Sequence, residues 1–488
     1  MKNIKTLIIV SLLISQIANA IELGSLDTSF SNDGTTDGYD ITGAGNFHSY
    51  ASATVVDSQG RIYVAGTFDT EVNGVPRKRA RVERRLPNGD FDTSFGVNGT
   101  TVLGLPPAAS GQFEYSLVLD TSDVVFLGYS ILRCDANNDC QSDVRIDRIS
   151  ESGGAFGGQT VSFDFGSSFE RQDDDFADMI YIPSINKIAI AAEVERTGAN
   201  DIDFGIALLN VDSVTGNLSL DTAFSTDGIS SCFFDQQNSS GSEDITKAIT
   251  WDPLQNNIVV GGSVFEGNGV GGDGYNFGFC EFDLSGNTVN KWSTQSPDLV
   301  ADSREFLVDI AFVNQSGFST IVATGQVPGD GGFDFALTRF DRDIFGNWNQ
   351  DTTFGSNGTG WETTNFQFIF VGDTEDSPAE MIIESDGNIL VAGTAKWGGD
   401  TTIPQGAIAM AKYTANGILN TNWGIGKSGK AVNPLEINAP YFLTVLGIAS
   451  DPKTEEIYAV GFLYDGLYFD NFIANMHNDS IFSNNFDF

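Results

Sequence analysis

The sequence predicts an all-β protein, a seven-bladed β-propeller with four-stranded blades. Three observations carry this: a turn phrase of the form Asp-Thr-Ser-Phe-Gly recurs along the chain, a β-branched run precedes each copy, and the two chain ends hold complementary fragments of one repeat.

The turn phrase reads LDTSFSNDG from Leu26, FDTSFGVNG from Phe91, LDTAFSTDG from Leu220 and DTTFGSNG from Asp351, with a weaker LNTNWGIGKSG from Leu419. The apolar run appears seven times, from Ile62, Val124, Ile188, Ile258, Thr320, Ile389 and Ile457. Gly66 to Gly461 spans six intervals over 395 residues, about 66 per repeat. Upstream of each run lies a strand closed by a turn, such as ATVVDSQG from Ala53; downstream lies an alternating strand, such as FDFALTRFD from Phe333. Period-two alternation bounded by Asp/Asn/Ser-Gly turns is the signature of strands and hairpins. Four strands repeated radially bury both faces of each sheet, which explains why the run is continuously apolar.

The chain opens on a turn phrase with no strands before it and closes on three strands with no clear turn phrase after them. The segment around Thr35 to Thr42 is therefore expected to supply the outer strand of the last blade and seal the ring. Residues 1–20, with Lys2, Lys5, the apolar run Leu7 to Ile17 and Ala18-Asn19-Ala20, read as a secretory signal peptide. Residues 21–479 form the propeller and 480–488 a tail. The expected location is the periplasm, the medium or the cell surface.

Without the leader, 23 basic residues face 65 acidic ones, a net charge of 23 − 65 = −42. That field repels phosphate backbones and anionic lipid, so nucleic acid is not an expected partner. No later stretch reaches the ~20 apolar residues of a membrane span. A monomer is expected, with an extracellular or envelope partner, glycan or protein.

Four cysteines in an exported chain allow two disulfides. Cys134 and Cys140 can close a small loop, and Cys232 and Cys280 fall in strands of neighbouring repeats, where an inter-blade bridge is available. CDANNDCQSD places Asp135, Asn137, Asp139 and Asp143 at spacings 1, 3, 5 and 9 of a calcium loop. The glycine and glutamate of the full pattern are replaced by Cys140 and Ile146, so calcium is a partial match. The bland reading is a disulfide-closed polar loop.

The Asp of the turn phrase (Asp27, Asp92, Asp221, Asp351) is expected to start a turn by accepting local N–H bonds, with the Phe plugging between blades. A basic residue five positions before a turn glycine (Arg84, Arg148, Lys412, and Arg339 in the comparable strand) is expected to pair within or between blades; Glu281 breaks the rule. RKRARVERR, Arg77 to Arg85, reads as a solvated loop and strand edge. GNGVGGDG from Gly267 opens no helix and reads as a loop rather than a phosphate site.

The turn phrase and the strands from Ser385 and Asp334 resemble the delta-60 repeat family of bacterial propeller-like exported proteins, over nearly the whole chain. The resemblance implies a repeat scaffold and supplies no catalytic residues. The phrase differs in spacing from the Asp-box of sialidase propellers. The tail, DSIFSNNFDF, is similar to C-terminal export or sorting tags.

No cofactor fingerprint is present, and His48 and His477 are the only histidines, so no catalytic residue is assigned from the sequence. The leading expectation is a non-enzymatic binding or surface-interaction scaffold, because binding residues favour loops on rigid frames. The alternative is a propeller hydrolase or lyase using channel-mouth carboxylates. An enzyme of that kind should show convergent, partly desolvated carboxyls with raised pKa values around the channel.

Overall fold

The computed structural model describes residues 22–478 apart from 32–36, 44–47, 73–74, 104–113, 135–139, 164–172, 196–201, 213–214, 235–243, 266–273, 295–303, 330–331, 367–372, 398–405, 436–441 and 465. These residues form seven antiparallel sheets in a ring, successive strands of a blade pairing as neighbours and the first described strand pairing with the last. The blades cover residues 49–102, 115–161, 174–232, 245–293, 306–364, 373–433 and 442–476. The fourth position is split into two short strands in the third and fifth blades. Residues 1–20, read as a leader, and 480–488, read as a tail, lie outside the described residues. No helix among the described residues is long and apolar enough to cross a membrane.

The seam is closed as expected, over a shorter strand. Tyr39–Thr42 pairs antiparallel with Phe469–Met476, the third strand of the last blade. Upstream, Asp27 N donates to Asn475 O (2.8 Å), and His477 N donates to Ser25 O (3.0 Å).

Each turn phrase behaves as its composition dictates. Asp27, Asp92 and Asp351 accept the N–H two residues on (2.9, 3.0 and 2.9 Å), and Asn420 does the same in the weak copy (3.2 Å). Phe30, Phe95, Phe224, Phe354 and Trp423 are buried between blades. The residue after each Phe then donates to the turn of the following blade: Ser31 to Asn88 O, Gly96 to Ser152 O, Ser225 to Ser285 O and Gly355 to Asn416 O, all 2.9–3.0 Å. The recurrent arginines reinforce the same junction. Arg84 holds Asp92 and donates to Glu151 O, Arg339 holds Asp351 and donates to Ala415 O, and Arg148 donates to Thr215 O (each carbonyl bond 2.9 Å).

The basic run is not the solvated edge the sequence suggested. Arg77 and Lys78 are exposed, but Arg84 and Arg85 are 1% exposed; Arg85 pairs with Asp40 and Glu83. Of these, Asp40 lies 45 residues away, which no local pattern reveals.

Both disulfides form. Cys134–Cys140 closes the second-blade hairpin, and Cys232–Cys280 ties the outer strand of the third blade to the third strand of the fourth. Two disulfides and no free cysteine suit an oxidising compartment.

The inner strands carry one irregularity. Six of the seven have a β-bulge, at Ser52, Ala177, Lys247, Val308, Ala379 and Leu446. The bulge drives a carbonyl onto the facing strand, so five of those blades carry glycine there: a Cβ at Gly66, Gly262, Gly325, Gly393 or Gly461 would lie 1.8–2.1 Å from a main-chain oxygen. The third blade carries Ala192 at this place. The second blade has no bulge, and Tyr129 takes the place of the glycine.

Two predictions follow from these contacts. Gly393→Ala, whose Cβ would meet Ser377 O at 2.1 Å, should destabilise by about 1–3 kcal/mol by denaturant titration, because backbone rather than a flexible side chain must move. Replacing Cys232 and Cys280 by serine releases a loop of 48 residues; the chain-entropy estimate is ~4 kcal/mol, so a drop of about 2–4 kcal/mol is expected, and a change under about 0.5 kcal/mol would contradict it.

Candidate functional site

Because the first strand of every blade lies innermost, the seven converge on an axial cavity of about 200 Å³. Its lining includes Ser52, Glu114, Ser116, Asp178, Lys247, Asp309, Glu380 and Leu446, contributed by all seven inner strands. Connections between blades, and those between second and third strands, leave at the end where the inner strands begin; this is the end bearing Glu114, Asp175 and Lys247.

Strand register defines a ring at one level, just past the bulge. Its members are Ala53, Ser116, Asp178, Ala248, Asp309, Glu380 and Gly447. Three blades thus present a carboxyl where the other four carry small residues. Each carboxyl reaches across to the next inner strand in the same sense. Asp178 accepts from its neighbour Met179 N (2.7 Å) and from Ile249 N of the fourth blade (3.4 Å). Asp309 accepts from Ile310 N (2.7 Å) and from Met381 N of the sixth (2.8 Å). Glu380 accepts Ile448 N of the seventh (2.8 Å).

All three side chains reach the cavity yet are ringed by protein, and burial dominates their titration. Burial, then the neighbouring Asp309 charge, pushes Asp178 up to about 7. Burial raises Asp309 to about 6 against its two amide donors. Glu380, with one donor and with Asp309 and Asp178 beside it, is driven well above the usual carboxyl range. At the rim, Lys247 donates to Glu114 (3.0 Å) and lies 3.9 Å from Glu193. Burial works against its charge, but Glu114, Glu193 and Asp175 outweigh it and keep the ammonium protonated.

Of the calcium-loop residues, the one described, Asp143, does not enter this site. Asp135, Asn137 and Asp139 lie outside the described residues, and Asp143 is buried in a strand, held by Arg133 (2.9 Å) and Ser162. Sequence reasoning left the channel carboxyls unassigned. The signal that finds them is the residue facing the one before the repeat glycine.

No family model matches the chain, and no curated protein sequence matches it. Among solved structures it is similar to a Trypanosoma rangeli sialidase in complex with the inhibitor DANA, at 12% identity over 78% of this chain and 57% of that one, with a TM-score of 0.40. A Penicillium chrysogenum alpha-L-arabinanase complexed with arabinobiose is similar at 7% identity over 76% and 92%, TM-score 0.37. The Pseudomonas aeruginosa periplasmic gluconolactonase PpgL is similar at 12% over 71% and 81%, TM-score 0.36. The chain thus spans little more than half of the sialidase. At these identities the likeness is one of fold.

The raised carboxyls set a sign for stability against pH. A folded-state pKa above the unfolded value means the folded protein binds more protons, so stability falls as pH rises from about 4 through the folded value. For Asp178 that window runs from 3.8 to about 7, and for Asp309 from 3.8 to about 6. Asp92, Asp221 and Asp351 shift the opposite way and act only in the acid range. Calorimetry should therefore show Tm falling between about pH 5 and 7.5, with a smaller fall in the Asp178→Asn, Glu380→Gln double variant. Parallel curves for the two proteins would contradict this.

Proposed function

We propose that the channel is an acid–base site and that the protein acts as a propeller hydrolase or lyase on a small hydroxyl-bearing ligand or chain end. One observation carries the reading: three carboxyls share a register position that four other blades fill with Ala53, Ser116, Ala248 and Gly447. The ring closes at those blades without a carboxyl, so the acidic residues are not demanded by the fold.

Their environments separate them into roles. Asp309, with two short amide bonds, is raised only to about 6, while burial and the neighbouring Asp309 and Asp178 push Glu380 well above the usual carboxyl range. Groups with divided pKa values in one cavity are what acid–base chemistry needs. In this reading Glu380 protonates the leaving oxygen, and Asp309 takes a proton from the attacking water or from the substrate carbon. The cavity, about 200 Å³, suits one ring of a sugar rather than a long segment, and its acidic lining favours neutral or cationic ligands over phosphorylated ones.

A second reading, the binding scaffold, is favoured by the bonds that the three carboxyls make to amides of other blades. Those bonds give them a structural use without any turnover.

The test is to incubate the protein with a panel of neutral and cationic glycans near pH 6 and follow new reducing ends and the ultraviolet absorbance of unsaturated products. Turnover is expected, and Glu380→Gln and Asp309→Asn should each lower kcat by about 100-fold or more with the ligand-induced rise in Tm retained. A ligand that raises Tm without any product would favour the scaffold. Turnover unaffected in both variants would dismiss the acid–base assignment.

A further inference from the structure

Repeats built on one pattern make a departure at one of them informative. In the first blade Tyr63 faces Arg84 across the second and third strands, Arg84 holds Asp92 of the turn phrase, and Arg61 holds Asp57 and Glu151. The fifth blade repeats the guanidinium–carboxylate pair with Arg339 and Asp351. The main-chain bonds identify the same places in the seventh blade. Asp27 N donates to Asn475 O as Asp92 N does to Arg84 O, and Asp451 N donates to Glu456 O as Asp57 N does to Arg61 O. Tyr458 faces Asn475 as Tyr63 faces Arg84.

At the seam both arginines are therefore gone: Glu456 stands for Arg61 and Asn475 for Arg84. Three carboxylates, Asp27, Asp451 and Glu456, remain with no lysine or arginine bridging them among the described residues. His477 enters instead. Asp27, Glu456 and His477 each bring one ligand atom within 4.8 Å of the others, and His477 Nε2 lies 3.6 Å from Asp27 Oδ1. The buried Asn475 carboxamide rests against this group. Its Nδ2 donates to Glu456 (3.2 Å), while its Oδ1 has no hydrogen-bond partner. Asp27 and His477 side chains keep 14% and 11% of their exposure, enough for an ion to enter.

We infer that Asp27, Glu456 and His477, with Asn475 Oδ1 as a fourth donor, hold a divalent cation of the zinc type, which replaces the missing guanidinium charge and pins the N-terminal segment to the last blade. An imidazole nitrogen with two carboxylate oxygens and an amide oxygen gives four mixed donors, which suit zinc better than calcium, whose sites take six to eight oxygens. The site bridges chain ends more than 420 residues apart (Asp27 to Glu456), so metal binding adds to ring closure rather than to the channel chemistry.

The test uses untagged, disulfide-intact protein freed of metal by chelation, with zinc chloride as probe and calcium chloride as comparator, read by calorimetric titration and thermal unfolding. One zinc per chain and a Tm rise of several degrees at excess zinc are expected. His477→Ala should weaken zinc binding at least tenfold. Asn475→Arg, restoring the arginine of the first and fifth blades, should raise the metal-free Tm and abolish the zinc response. Should His477→Ala fail to fold, Glu456→Gln gives the same reading, with tenfold weaker binding expected. Wild-type protein without a saturable zinc response overturns the proposal. So does calcium matching zinc, or a His477→Ala or folded Glu456→Gln variant binding zinc as tightly as wild type.

Discussion

Every blade of this protein has two apolar faces and can hide neither alone. The second strands, such as Ile188 to Val194 and Ile258 to Val264, are buried nearly end to end, and core clusters run from each blade into the next. A sheet of this kind is stable only between two neighbours, so the ring must close, and the turn phrase is the device that spaces it. Its Asp or Asn fixes a local turn, its aromatic residue fills the gap, and the following amide reaches the next blade. The acidic surface places no obstacle here, because the carboxylates nearest these junctions are paired with buried arginines in the first and fifth blades.

The architecture was legible because its determinants are local. A turn phrase, an apolar run and two complementary chain ends each sit within a few residues, and they indicate blade number and seam before any coordinates, while the cysteine pairing stays open until the structure places Cys134 by Cys140 and Cys232 by Cys280. The channel ring was not legible, for a geometric reason. Its members, Ala53, Ser116, Asp178, Ala248, Asp309, Glu380 and Gly447, share no residue type. Their distance to the position of the repeat glycine also varies with the turn between strands: 13 residues from Ala53 to Gly66, 16 from Asp309 to Gly325. Only strand register brings them level. The second repeat shows the same limit, since its conspicuous Gly128 lies one place before the residue that occupies the glycine position, Tyr129.

The buried arginines illustrate the converse. Arg84 and Arg85 look like part of a basic surface run because their partners, Glu151 and Asp40, belong to other blades. Charge in this closed repeat protein is balanced both within a blade, as in Arg84 with Asp92, and between blades, as in Arg84 with Glu151. Composition therefore reports the total and conceals the places where balance is achieved or lost.

The channel is where that balance is withheld. Among the described residues no arginine or lysine pairs with Asp178, Asp309 or Glu380; they accept main-chain amides of the following blade, and Ser116 adds a side-chain bond at Asp178. Amide donors favour the ionised form, while burial and mutual repulsion oppose it. Asp309, with two short bonds, is raised to about 6; Asp178, which also feels the Asp309 charge, is raised to about 7; and Glu380, with Asp309 and Asp178 beside it, is pushed well above the usual range. The inter-blade bonds also fix where each oxygen sits. The position just past the bulge thus places the carboxyls level with one another, while burial and the neighbouring carboxyls set their acidity.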